Sequence, residues 1–77
     1  MRKFKKKILE TAIERLEESI DIVSTAARKE RGVAENLPGN LRRSKKYDRM
    51  MSGADNLECA ATQITRAVKC IKEACKN

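Results

Sequence analysis

The chain contains no histidine and no tryptophan, and only one phenylalanine, one tyrosine and one proline. Without histidine, the commonest general base and the commonest zinc ligand are both missing. The three cysteines, Cys59, Cys70 and Cys75, are odd in number and fit no zinc spacing, so neither an internal disulfide framework nor a metal centre is expected. No glycine-rich phosphate loop or nucleophile motif is found. The expectation is therefore a protein that is not an enzyme and needs no cofactor. With so few aromatics in 77 residues, the core must come from Ile, Leu, Val, Ala and Met, and it will be thin. No apolar run reaches membrane-spanning length. The basic start is not a signal peptide, because Glu10 follows Ile8-Leu9 at once. Unpaired cysteines add to the expectation of a cytoplasmic location without a membrane partner.

What is present is helical spacing on either side of one turn. Asn36-Leu37-Pro38-Gly39-Asn40-Leu41 holds the only proline. Leu37 is pushed out of the helical region by the proline after it, and Pro38 cannot continue a helix from upstream. Pro-Gly is a turn dipeptide, and Asn36 suits the position after a helix where glycine often stands. Ser44 is a candidate N-cap for a second helix, with Asn40 as its rival. The spacing predicts helix 1 from about residue 4 to about 36, a turn over 37–43, and helix 2 from about 44 to about 76. Leu37 and Leu41 would seal the tip.

Helix 1 carries Leu9, Ile13, Leu16, Ile20, Val23, Ala27, Glu30, Ala34 and Leu37 at alternating steps of four and three, a heptad seam broken only by Glu30. Glu30 has two readings: a partner for Arg42, Lys46 or Arg49 across the hairpin, or an end-of-seam residue reaching solvent. Helix 2 repeats Tyr47, Met50, Ala54, Leu57, Ala61, Ile64, Val68, Ile71 and Cys75 without a break. Beside the seams run small residues, Ala12, Ser19 and Ala26 on helix 1 and Gly53, Ala60, Ala67 and Ala74 on helix 2. These stripes are expected to meet in close, alanine-lined contact between the helices. The predicted fold is all-α: a long antiparallel two-helix hairpin, each helix about 50 Å long at ~1.5 Å per residue. So thin a scaffold calls for self-association, as a homodimeric four-helix bundle or a higher oligomer.

Charged residues make up 38% of the chain and the net charge is +7. Glu10, Glu14, Glu17, Glu18 and Asp21 form an acidic waist on helix 1, read as a solvated face. Arg42, Arg43, Lys45, Lys46 and Arg49 crowd the start of helix 2, where the helix dipole disfavours cations. With Arg28, Asn40, Ser44, Tyr47 and the free N–H groups of the helix start, they form a candidate site for a phosphate-bearing ligand, a nucleotide or a nucleic acid. The bland counterpart is a solvated basic end with Tyr47 in the core. A second basic end joins residues 2–7 to Lys69, Lys72 and Lys76. Compact three-helix architectures for reading DNA sequence are absent.

The run from Glu35 to Leu41, with Ser44, Tyr47, Met50, Asp55-Asn56-Leu57-Glu58 and Ala60, resembles small helical-hairpin proteins of phages and mobile elements in Gram-positive bacteria. Those share an N-L-P-x-N-L turn, a serine and an alanine-rich heptad helix. The resemblance covers roughly residues 28 to 68, and this chain departs from it in being strongly basic. It implies the hairpin architecture and a phage context, in the cytoplasm of a bacterial host. Together these features give a first expectation of a non-enzymatic, self-associating module that binds a phosphate-bearing ligand at its turn. The alternatives are a phage protein that inhibits a host defence protein by direct contact, through apolar residues around Leu41, Met50 and Met51, and a purely structural assembly subunit.

Overall fold

In the computed structural model, which describes residues 2–76, two long helices are joined by a short turn. Helix α1 is Lys3–Glu35 and helix α2 is Lys45–Cys75, with a short 3-10 helix, Gly39–Leu41, between them. No strand occurs among the described residues. The molecule is a rod of 59 × 14 × 12 Å. No helix of the described residues is long and apolar enough to cross a membrane.

The turn is made without left-handed backbone. No described residue, glycine included, has a positive φ. Asn36 ends α1 at φ −89° and ψ 1°, so it does not take the left-handed geometry expected of a residue in glycine's usual place. Pro38 instead leads into the 3-10 helix in extended conformation, and the Leu41 amide donates to the Pro38 carbonyl at 2.8 Å. Ser44, not Asn40, caps α2: its hydroxyl oxygen accepts from the Tyr47 amide at 3.3 Å. The same hydroxyl donates to the Leu41 carbonyl, tying the cap to the turn. Leu37 is half-buried, but Leu41 is exposed and does not seal the tip.

The two seam positions separate in space. The buried residues are Ile13, Ala27 and Ala34 on α1 and Ala54, Ala61 and Val68 on α2. A residue three places after a buried one and a residue four places after it fall on opposite sides of the helix contact. The four-place residues Glu17 and Arg31 meet Lys72 and Glu58 in cross-helix ion pairs, so this side is polar on both helices. The three-place residues Leu16, Val23, Glu30, Leu57, Ile64 and Ile71 lie on the other side and are all half-buried. The register of the ion pairs sets Leu16 level with Ile71, Val23 with Ile64, Glu30 with Leu57, and Leu37 with Met50. The stripes Ala12, Ser19, Ala26 and Gly53, Ala60, Ala67, Ala74 lie further out on that side, between half-buried and exposed. The alanine-lined contact is therefore made by Ala27, Ala34, Ala54 and Ala61, and the flanking stripes do not meet within the hairpin.

The two interior glycines are not there to admit a neighbouring helix of the hairpin. A β-carbon at Gly32 or Gly53 meets nothing within 4 Å. Glycine within a helix is less favourable than alanine by up to ~1 kcal/mol. Gly32→Ala is accordingly expected to stabilise the protein by up to ~1 kcal/mol, and Ser44→Ala to destabilise it by about 1 kcal/mol. Urea titration followed by circular dichroism reads both.

Candidate functional site

The basic residues at the turn divide into two groups by what they touch. Arg42 is engaged: its Nε donates to the Leu37 carbonyl at 3.2 Å, and a terminal nitrogen donates to the Glu35 carbonyl. The last turn of α1 contains no basic residue. Arg42 supplies the missing positive charge from across the turn, where the end of a helix dipole and its unpaired carbonyls favour a cation. Arg43, Lys45, Lys46 and Arg49 are exposed and form no ion pair among the described residues. Asp48 is the acidic residue in the first turn of α2. The free cations therefore surround the N-terminus of α2, with Asn40 exposed beside them on the 3-10 helix.

Ser44 and Tyr47 sit at the base of this cluster. Ser44 is committed to the cap, and Tyr47 is half-buried at the top of the seam, in line with Ala54 and Ala61. The structure thus favours Tyr47 as a core residue over Tyr47 as a stacking platform. Arg28 does not join the cluster. It donates to Thr25 Oγ1 at 3.2 Å and lines an open groove of about 420 Å³ on the polar side of the rod, with Ser24, Glu58, Thr62 and Arg66. Glu30 makes no ion pair with Arg42, Lys46 or Arg49 among the described residues, and it stays half-buried on the apolar side.

The shorter of the cross-helix charge pairings among the described residues use Arg31. Its guanidinium reaches Asp55 Oδ1 at 2.7 Å and Glu58 Oε1 at 2.9 Å, with Nε also donating to Glu58 at 3.1 Å. The hydrogen bonds that Arg31 donates, to Asp55 first and then to Glu58, raise its pKa above the ordinary value. That stabilisation is complete below the ordinary value and is lost only as pH rises through the raised one. Over the working pH range it therefore responds to salt and not to pH. The position of Arg31, four residues after Ala27 on the seam, is the available sequence signal for this role, but only the register identifies Asp55 and Glu58 as its partners.

No family model, curated protein or solved structure matches this chain. Arg31→Ala is expected to lower the melting temperature by a few degrees at low salt, and by less at high salt, where the pair is already screened. Thermal melts at two salt concentrations measure the difference.

Proposed function

We propose that the protein is a non-enzymatic, self-associating helical module whose turn end binds a phosphate-bearing ligand, with nucleic acid as the leading class. The observation that carries this reading is the group of four exposed, unpaired cations, Arg43, Lys45, Lys46 and Arg49, around the N-terminus of α2. Lys45 and Lys46 in the first turn and Arg43 just before it oppose the helix dipole, so their local effect on the helix is unfavourable. Residues that break a local stability rule without compensation inside the fold are candidates for a role outside it. A phosphate would gain both the side-chain charges and the amide groups of the helix start. The net charge of +7 adds long-range attraction for polyanions.

Arg42 is left out of the ligand contacts, because its guanidinium holds the end of α1. Changing Arg43, Lys45, Lys46 and Arg49 together to Gln is expected to weaken binding of a single-stranded DNA oligonucleotide more than roughly tenfold. The log–log salt slope should fall by up to about 3 units, roughly 0.7 for each phosphate of the single strand that the variant no longer neutralises. Fluorescence anisotropy over a salt series measures both, and a parallel titration with ATP separates a nucleotide site from a nucleic-acid site. Equal affinity and slope in the variant would refute the reading.

A further inference from the structure

The rod exposes more surface than a folded chain of its mass should. Its accessible area is 6107 Å² at 8.7 kDa. Surface–mass scaling for compact monomers gives about 4,700 Å², which leaves an excess on the order of 1,400 Å². Among the described residues, no large side chain is fully buried. The larger half-buried aliphatic residues are concentrated in one place. Leu16, Val23, Leu57, Ile64 and Ile71 lie on one broad side of the hairpin, opposite the ion pairs of Arg31 and Lys72. Ala26, Val33 and Ala67 border that side and are exposed, Val33 at 55%. Ile8 and Ile22, 55% and 70% exposed, extend the same surface round the outer side of α1.

We infer that this apolar side is closed by a second copy of the chain, forming a four-helix dimer. The inference deepens the self-association proposed above and rests on it, but it is independent of what the turn binds. Area is the first argument. A side 59 Å long and 14 Å across covers roughly 800 Å² per copy, the size of one half of a stable protein interface. Burying it would remove more than half of the excess surface. Shape is the second. The side is two helices wide along its whole length, so another rod of the same width and length covers all of it, whereas a single helix or an extended peptide fills only the groove between Val23 and Ile64. Charge is the third. Among the level pairs on this side, Glu30 is the one ionisable residue, and Asp21 and Lys29, which stand beside Ile22 and Ala26 at its margin, are of opposite sign. The acidic waist residues Glu10, Glu14 and Glu17 and the partners of Arg31 lie on the side that stays in water.

Two kinds of substitution test the surface in opposite directions. Ala26 and Ala67 are exposed in the hairpin, and lysine is a good helix former, so Ala26→Lys with Ala67→Lys leaves the isolated hairpin intact. Glu30→Leu makes the apolar side continuous. Sedimentation equilibrium of the full chain, with helicity followed by circular dichroism, is the measurement. Wild-type protein is expected at the mass of two chains. The double lysine variant should dissociate at least roughly a hundredfold more readily, or lose helicity at concentrations where the wild type is paired. Glu30→Leu should tighten the dimer roughly tenfold. Thr62→Lys, on the polar side, should change neither mass nor affinity. A wild type of one-chain mass would overturn both this inference and the self-association on which it rests. A wild-type dimer that the double lysine variant leaves as tight, or that Glu30→Leu fails to tighten, would overturn the assignment of the surface alone. Pairing only with a different protein would appear as a one-chain mass for the purified chain.

Discussion

Alanine at positions 27, 34, 54 and 61 sets how near the two helices come, and the rest of the molecule works within the small apolar area that this contact leaves. A methyl group removes little surface from water, and at about 25 cal/mol per Å² the seam alone contributes modestly. Close approach brings compensations. It lets side chains of ordinary length span the contact, so Arg31 reaches two carboxylates on α2 and Lys72 comes within 3.7 Å of Glu17. It also fixes the larger aliphatic residues one position off the contact, where a second molecule can reach them. A seam of leucines would have buried those side chains within the hairpin and held the helices further apart.

Heptad spacing is sufficient to read two long helices and the turn between them from the sequence, and Ser44 is legible as a cap because a serine just before a periodic run has few other uses. The features that are not legible depend on geometry that spacing does not carry. Both seam positions look alike in sequence. Only the antiparallel register shows that Ile13, Ala27 and Ala34 face α2 while Leu16, Val23 and Glu30 turn to one side. The small stripes suggest the contact because small residues permit close approach, yet permission is not occupancy, and the alanines on the seam itself take the place. Asn36 suggests left-handed geometry at the end of α1 that a proline-led 3-10 turn makes unnecessary.

The candidate site is less legible than the fold. The basic cluster after the turn is visible as a run of charge, but charge runs do not reveal which members are occupied. Arg42 is taken by the carbonyls at the end of α1, Ser44 by the cap, and Arg28 lies on the shaft beside Glu58 and Arg66. Arg43, Lys45, Lys46 and Arg49 remain as free cations among the described residues, beside a turn that Arg42 ties to the end of α1. One arginine thus completes a helix so that its neighbours can face outward. The two long sides of the rod also separate in character: ion pairs on one and aliphatic residues on the other. Pairing through the aliphatic side would leave the turn clusters exposed at the ends of the assembly.

Helix α1 begins and helix α2 finishes at the same end of the rod, with the turn 59 Å of extent away. This arrangement determines how the molecule would carry a mechanical load. Tension drawing those two helix ends apart does not slide one helix along the other, which would break the whole seam at once. It peels the helices open from Cys75 and Ile13 toward Tyr47, one level at a time, each step resisted by one level of the seam and, at Glu17–Lys72 and at Arg31, by an ion pair. The hairpin would therefore yield to a small pull as a zipper does, with the capped turn at Ser44 the last part to give way and the natural place for re-closure to begin.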